Sequence, residues 1–260
     1  MILPSKTFLV VKDGSMETGP ANENVITDAS SSASNANFWK VWSANSFSNL
    51  GDGLYQITLP LLAAGLTRSP SLIAMLGVML SLPWLTFALQ AGSIVDRSDR
   101  RKVMLWVNGG RLLILFALTL AVMMGVASLP MLYVAALLLG IGETLMDTSL
   151  TSIVPSVVSK ERLTWANARL TAAQTVTNTF VGPPLAGYLA GLGFAVATGS
   201  STLMYLMAGF ALVLMRGSFH ASPHKDTPGD KQGWRHITEG LRFLWKDRLI
   251  RDLTLFTASM

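Results

Sequence analysis

The 260-residue chain contains no cysteine, and Asp, Glu, Lys and Arg together make up only 13% of it. Without cysteine a disulfide scaffold is excluded, and a zinc site is disfavoured as well. A soluble domain carries about 25% charged residues. The scarcity of charge, together with 50% hydrophobic residues, therefore argues against a disordered chain and against an ordinary soluble enzyme.

Motifs that would power or catalyse a reaction are also missing. The sequence has neither the Gly-x-x-x-x-Gly-Lys loop of ATP-binding proteins nor the Gly-x-Ser-x-Gly elbow of serine hydrolases. Gly140-Ile141-Gly142 lacks the third glycine of a dinucleotide loop and lies in an apolar run, which favours close helix packing. We therefore predict a protein that is not an enzyme, with no metal site and no cofactor.

The apolar residues fall into six long blocks. A helix of about 20 residues crosses the hydrocarbon core of a bilayer, and the blocks have this length or more. Stretches such as 112–127 show none of the polar stripe that a soluble helix presents. We predict six transmembrane helices, at Val41–Leu66, Ser71–Val95, Val103–Ala127, Pro130–Leu150, Trp165–Leu192 and Phe194–Met215.

The regions outside the spans differ in composition. Residues 1–37 are polar and predict a disordered cytoplasmic tail, followed by the six-span bundle over 38–215. Residues 216–251 predict a cytoplasmic linker whose segment 234–250 is an amphipathic helix on the membrane surface, with a soluble docking helix as the alternative. Residues 252–260 begin a seventh span that the chain does not complete.

The lysines and arginines are concentrated in the connections on one side of the predicted bundle. The connections after the second and fourth spans contain the clusters 97–102 and 160–162, whereas the opposite side has only Arg68. The positive-inside rule then predicts that both ends of the bundle are cytoplasmic. The net charge of +5 thus reflects topology, and we expect the lipid bilayer rather than nucleic acid as the partner.

Acidic residues inside predicted spans are costly and often mark a transport pathway. Asp52 and Glu143 each lie roughly 17 Å from the cytoplasmic face, at 1.5 Å per residue. They would be equivalent if the six spans form two inverted triplets. Both are candidates for proton coupling. The alternative is a structural role, with hydrogen bonds to nearby amides or hydroxyls such as those of Asn45, Asn49 or Thr144.

Two further sets of residues are predicted within the bundle. Arg111 and Asp147 lie at comparable depth in the third and fourth spans, and we predict that they form a buried ion pair with a mainly structural role. Polar side chains that could face a substrate cavity are Asn45, Asn49, Gln56 and Gln174.

The short connection after the second span contains a recognisable motif, Gly92-Ser93-Ile94-Val95-Asp96-Arg97-Ser98-Asp99-Arg100-Arg101-Lys102. It resembles the signature loop of the major facilitator superfamily, Gly-x-x-x-Asp-Arg-x-Gly-Arg-Arg-Lys, with Asp99 in place of a glycine. We expect Gly92 to allow close helix packing and Asp96 to cap a neighbouring helix. We expect Arg97 and Arg101 to pair with acids at the ends of adjacent spans.

Other segments are similar to exporters of that superfamily. Gly182-Pro183-Pro184-Leu185-Ala186-Gly187 is similar to the Gly-Pro-x-x-Gly-Gly element of its antiporters, where Gly182, Pro183 and Gly187 would kink the helix. A packing kink without any role in export is the alternative. The fourth-span arginine of drug antiporters is absent, with Leu137 near its position, so the proton-relay role of that arginine does not carry over.

Three stretches resemble the branch of the superfamily that contains enterobactin and macrolide exporters, namely Ser48–Gly53, Gly142–Asp147 and Ala166–Arg169. The resemblance over residues 38–260 implies an all-α integral membrane fold. The six spans would be two inverted three-helix repeats, which form the N-terminal half of a major facilitator fold.

The same resemblance implies a secondary active transporter in the cell membrane. It would use the proton gradient to export a small, moderately hydrophobic compound, such as a drug or a siderophore, by alternating access. Because members of the superfamily normally have twelve spans, the alternative is a truncated half-transporter. Such a chain would have no transport activity alone and would need a second half or a homodimer.

Overall fold

The computed structural model describes residues 9–12, 15–18 and 23–215, with side chains described from residue 36 onward. Strands β1 (Leu9–Lys12) and β2 (Ser15–Thr18) pair antiparallel, with Leu9 opposite Thr18. Helix α1 then begins at Glu23. These elements lie within residues 1–37, the segment for which the sequence predicted a disordered tail. Once a helix is nucleated by its packed part, each further residue adds one hydrogen bond, so α1 extends into the polar segment. The predicted linker, its amphipathic helix and the seventh span lie outside the described residues.

Residues 23–215 are helical apart from short connections. The eight α-helices are α1 (Glu23–Leu66), α2 (Pro70–Thr86), α3 (Ala88–Asp96), α4 (Arg100–Met123), α5 (Leu129–Val157), α6 (Leu163–Gln174), α7 (Gly182–Leu192) and α8 (Phe194–Val213). A 3₁₀ turn at Lys160–Arg162 joins α5 to α6, and a π-helical segment at Thr175–Val181 joins α6 to α7.

Two of the predicted spans depart from a single regular α-helix, and prolines lie at both irregularities. The second predicted span consists of α2 and α3, which meet at an angle of 53°. Pro83 near the end of α2 lacks a backbone N–H and so removes one helical hydrogen bond. The fifth predicted span consists of α6, the π-helical segment and α7. Pro183 and Pro184 stand directly after the start of α7 and remove two more donors.

Helices α4, α5 and α8 are each long and apolar enough to cross a membrane, and the bent pair α2–α3 would be a fourth span. Large apolar side chains are exposed on their outer faces, including Leu113 and Phe116 of α4 and Phe210 of α8, all more than half exposed. A soluble protein rarely exposes so much contiguous apolar surface. This surface is what a lipid-facing bundle presents.

The interior contains two apolar clusters with a polar layer between them. Phe38, Met104, Ile153 and Leu212 belong to one cluster, whereas the other contains Leu59, Leu76, Leu115, Leu132 and Leu139. Along α1, α4 and α5 most of the buried polar residues fall between the two clusters in the sequence, with Thr58 and Ser149 as exceptions. The helices therefore bury their polar groups at one common level near the middle of the bundle.

Glycines allow two close helix crossings. A Cβ atom on Gly53 of α1 would lie 3.0 Å from the Cα of Gly182 in α7, and one on Gly140 of α5 would lie 2.4 Å from the carbonyl oxygen of Leu80 in α2. Neither crossing leaves room for a side chain. The close packing predicted for the Gly140-Ile141-Gly142 segment is confirmed.

Candidate functional site

The polar layer consists of side chains from four helices that meet between the two apolar clusters. Helix α1 contributes Ser48, Asp52 and Tyr55, α4 contributes Asn108 and Arg111, α5 contributes Glu143, and α8 contributes Tyr205. All but Glu143 are buried, and Glu143 is half-buried. The layer is the largest concentration of interacting polar side chains in the described part of the bundle.

Arg111 forms an ion pair with Asp52, and both side chains are almost completely buried. Arg111 lies about 17 Å from either end of α4, at 1.5 Å per residue. The predicted ion pair between Arg111 and Asp147 is therefore wrong. A Cβ atom on Gly142 would lie 2.8 Å from both Cγ and Cδ of Arg111. The arginine thus crosses α5 at Gly142 toward α1, whereas Asp147 lies about 7.5 Å farther along α5.

Several neutral groups complete the environment of the ion pair. Tyr205 donates a hydrogen bond from Oη to Oδ1 of Asp52. Arg111 donates from Nη1 to Oγ of Ser48 at 3.4 Å and from Nη2 to Oη of Tyr55 at 3.5 Å. Its guanidinium carbon also lies 4.7 Å from the centre of the Tyr205 ring, which is a cation–π contact. The two buried charges are thus paired and hydrogen-bonded, as a low-dielectric site requires, except at Nε of Arg111, which has no partner within the described residues.

Glu143 is connected to this pair through a tyrosine. Tyr55 donates from Oη to Oε2 of Glu143 at 3.0 Å, and the same Oη accepts from Arg111. An unbroken series of contacts therefore links the half-buried Glu143 to the fully buried Asp52. Tyr55 lies three residues after Asp52, so both side chains occupy one face of α1.

The acids outnumber the cations at this level. Asp52 and Glu143 lie at the level of a single guanidinium, that of Arg111, which makes its ion pair with Asp52 alone. Asp147 lies farther along α5 and, within residues 36–215, makes no direct hydrogen bond or ion pair. Because one cation cannot neutralise both carboxylates, the site can accept a proton without first breaking the Arg111 pair. The proton-coupling roles of Glu143 and Asp52 stay predictions.

The four polar residues predicted to face a cavity occupy two kinds of position. Asn45 and Asn49 are buried, with Nδ2 of Asn49 donating to the Oδ1 of Asn45 at 2.8 Å. Gln56 and Gln174 are half-buried. The asparagines therefore lie within the helix packing and line no open surface, while the glutamines remain partly accessible. A role for any of the four in substrate binding stays a prediction.

The signature loop differs from expectation in three positions. Asp99, and not Asp96, caps a helix, because its side chain accepts hydrogen bonds from the backbone nitrogens of Arg101 and Lys102 at the start of α4. Asp96 is exposed. A Cβ atom on Gly92 would meet nothing within 4 Å, so no close packing requires that glycine.

Arg100 and Arg101 of the loop bind a hydroxyl and backbone carbonyls rather than acids. Arg101 donates to the carbonyl oxygens of Leu212 and Val213, at 3.3 and 3.0 Å, where α8 ends. Arg100 donates to Oγ of Ser156 at 3.2 Å. The carbonyls at a helix C-terminus attract cations because they lack partners within the helix. The loop therefore connects the ends of α4, α5 and α8.

The predicted kink element lies at the start of α7. Gly182 contacts Gly53 across the α1–α7 crossing, and Pro183 follows it where the π-helical segment gives way to α7. Gly187, in contrast, has open space where a Cβ would stand. Gly182 therefore takes part in the crossing and Pro183 in the change of helix type, whereas Gly187 takes part in neither.

Sequence reasoning missed four members of the polar layer: Ser48, Tyr55, Asn108 and Tyr205. Ser48 and Tyr55 lie four and three residues from Asp52, and this helical spacing is a signal that could have been used. Asn108 lies three residues before Arg111 on α4 and had the same signal. Tyr205 had no such signal, because α8 reaches Asp52 only through the fold.

Comparison with known proteins identifies a matching family model and two similar proteins. A family model described as a transmembrane secretion effector matches residues 28–258. The chain is also 27% identical over 201 residues to proteins of Mycobacterium bovis and Mycobacterium tuberculosis, each described as an uncharacterized MFS-type transporter. The match covers 75% of this chain and 44% of each relative, so the chain spans less than half the length of these relatives.

Proposed function

The chain belongs to the major facilitator superfamily of multi-pass membrane transporters, and on that premise we propose that it takes part in proton-coupled efflux of a small, moderately hydrophobic compound. Drugs and siderophores are the substrate classes, since three of its segments resemble enterobactin and macrolide exporters. The superfamily is one of transporters and generally not of enzymes. The observation that carries the proposal is the contact series from Glu143 through Tyr55 to the Asp52–Arg111 pair.

The proposed architecture has six spans in two inverted triplets. In it, α1, the α2–α3 pair and α4 form one triplet, while α5, the α6–α7 segment and α8 form the other. Glu143 of α5 and Asp52 of α1 then occupy equivalent places in the two repeats. Both ends of the bundle face the cytoplasm of the cell, because the basic connections lie on that side.

The proposed mechanism uses Glu143 as the site where the proton binds. Protonation removes a negative charge from a layer with more acids than cations, and the hydrogen bond from Tyr55 to Oε2 weakens because its acceptor is no longer ionised. Tyr55 also contacts Arg111, so its movement changes the surroundings of the buried pair. Because α1 and α5 carry these groups, protonation would bias the relative positions of the two triplets.

The test is transport of the hydrophobic dye Nile red in proteoliposomes with an imposed pH gradient. We expect gradient-dependent transport by the wild-type chain and none by Glu143→Gln. Glu161→Gln is the matched control, because Glu161 is exposed in the connection after α5 and its loss leaves the polar layer intact. Full gradient-dependent transport by Glu143→Gln would refute the role of this residue.

Tyr55 offers a second variant of the same test. Tyr55→Phe removes the hydroxyl that connects Glu143 to Arg111 and keeps the ring. A hydrogen bond to a charged group contributes roughly 1.5–3 kcal/mol, so we expect gradient-driven transport to slow by about ten-fold or more. The control is Tyr188→Phe, since Tyr188 is 68% exposed on α7. Equal rates for the two variants would exclude the proposed connection.

A further inference from the structure

A cleft of about 460 Å³ lies between the end of α3, the first turns of α4 and the middle of α5. It is open on the outside of the bundle, where Trp106 of α4 is 82% exposed and Ile94 of α3 is 42% exposed. Leu145 of α5 forms part of its inner wall. In a multi-pass membrane protein such an outer cleft faces lipid.

The lining of the cleft changes from polar to apolar along α4. Ser98 and Lys102 lie at the rim, beside the start of the helix. Val103, Trp106 and Val107 lie farther along α4, with Trp106 about 6 Å below Lys102 at 1.5 Å per residue. Tryptophan is enriched at the level of the lipid headgroups, where its ring can contact both apolar and polar groups. The gradient from polar to apolar matches the order of groups in a phospholipid.

The rim of the cleft carries one cation, Lys102, beside the carboxylate of Asp99. Within the described residues, the exposed side chain of Lys102 makes no hydrogen bond or ion pair, whereas the neighbouring Arg100 and Arg101 bind Ser156 and the end of α8. Asp99 also lines the cleft, but its Oδ1 accepts from two backbone N–H groups at the start of α4. The accessible ammonium is therefore available to an anion.

We propose that this cleft binds one anionic phospholipid. The phosphate contacts the ammonium of Lys102 and the hydroxyl of Ser98, and one acyl chain lies against Val103, Trp106 and Val107. An inorganic or sugar phosphate would use only the rim and would leave the apolar wall without a partner. A zwitterionic phospholipid would fill the apolar part, but its own cationic group would offset the phosphate charge that Lys102 contacts.

The bound lipid would act on the loop that joins α3 to α4. Its headgroup lies beside the segment from Ser98 to Lys102, and Arg101 in that segment holds the end of α8. A lipid in the cleft therefore stabilises the contact between α4 and α8 from outside. This inference rests on the membrane location of the chain and not on proton coupling or on the substrate.

The test is native mass spectrometry of the full 260-residue chain in detergent, titrated with phosphatidylglycerol or with phosphatidylcholine. We expect one tightly bound phosphatidylglycerol and weaker binding of phosphatidylcholine. A basic residue near a membrane surface contributes about 1 kcal/mol to the attraction of anionic lipid, which corresponds to about five-fold in affinity. Lys102→Gln should lower the phosphatidylglycerol affinity by about that factor. Lys160→Gln, which changes an exposed lysine outside the cleft, should leave the affinity unchanged.

A second measurement locates the acyl chain. Phosphatidylglycerol with brominated chains quenches nearby tryptophan, and we expect it to quench the wild type more than Trp106→Phe. Equal binding of phosphatidylcholine and phosphatidylglycerol, or equal loss in Lys102→Gln and Lys160→Gln, would overturn the proposal. Displacement of the lipid by glycerol phosphate would overturn the role of the apolar wall, as would equal quenching of the two proteins.

Discussion

Arg111 has the most demanding environment of any residue in the described part of the chain. A charged side chain near the middle of a bilayer is costly unless it is paired, and Arg111 is 2% exposed at the centre of α4. In place of water, its guanidinium contacts the carboxylate of Asp52, the hydroxyls of Ser48 and Tyr55 and the ring of Tyr205. The pair is therefore more than a surface contact, and removal of one member leaves an uncompensated buried charge.

A double-mutant cycle measures this pairing. Breaking a buried ion pair by removing one partner costs about 3–5 kcal/mol, so Asp52→Asn and Arg111→Gln should each lower the free energy of unfolding by roughly this amount. The double variant Asp52→Asn/Arg111→Gln should lose much less than the sum, because neither charge is left alone. Reversible unfolding in mixed detergent micelles gives the four free energies.

The comparison with Asp147 makes the cycle decisive. Asp147→Asn removes a carboxylate that makes no direct bond to Arg111 within residues 36–215, so its coupling to Arg111→Gln should be small. A coupling for Asp147 as large as that for Asp52 would contradict the observed pairing and would restore the pair that the sequence predicted.

At the scale of helices, glycines and prolines determine how closely and at what angle the elements pack. Pro83 bends the α2–α3 pair, and its Cγ lies where a side chain on Gly140 would stand, at 3.1 Å from that Cβ. The proline that bends α2 therefore packs against Gly140 of α5. The loop is ordered in a similar way, with Asp99 capping α4 and Arg101 capping α8.

Substitution of Gly140 tests the crossing of α2 and α5. A Cβ atom there would lie 2.4 Å from the carbonyl oxygen of Leu80, so Gly140→Ala must move one helix. Overpacking costs about 1–3 kcal/mol, and we expect a loss of this size in the free energy of unfolding. Gly77→Ala is the control, because a Cβ at this α2 position meets nothing within 4 Å.

For the control variant Gly77→Ala, the direction of the stability change can also be predicted. Alanine in a helix is better than glycine by roughly 0.5–1 kcal/mol, so Gly77→Ala should leave stability unchanged or raise it slightly. If Gly140→Ala were as stable as Gly77→Ala, the close crossing would not exist in the protein.

For the whole molecule, the arrangement of apolar and polar layers is the central feature. Two apolar clusters enclose one polar layer, and the outer faces of the helices are apolar as well. In lipid the outer faces gain nothing by association, so packing and internal hydrogen bonds hold the bundle together. The polar layer is thus the candidate functional site, and its hydrogen bonds also help to hold the helices in their relative positions.

The proposed orientation can be tested because the native chain contains no cysteine. Ser128→Cys places a thiol before α5, and Ser159→Cys places one after it, both at exposed positions. A membrane-impermeant maleimide should label Ser128→Cys in intact cells and Ser159→Cys only after permeabilisation. The reverse pattern would invert the topology, and labelling of both in intact cells would mean that α5 does not cross the membrane.

The sequence alone determined the membrane class of the chain, the approximate extent of its helical blocks and the acids that merit attention. These follow from composition and from local spacing, since an apolar run of sufficient length excludes most other structures. Pro83, Pro183 and Gly140 could also be interpreted from the sequence, because proline removes a donor and glycine removes a side chain wherever they occur.

The tertiary structure alone decided which charges pair. From depth along the helices, Arg111 could reach Asp147 on the next span, but depth carries no information about the direction in which a side chain leaves its helix. The rotation of α4 over Gly142 sends Arg111 toward Asp52, and α8 brings Tyr205 to the same carboxylate from 153 residues away. The rotation of each helix about its axis, and the helices that it contacts, arise from packing across the whole bundle. No local segment of the sequence encodes them.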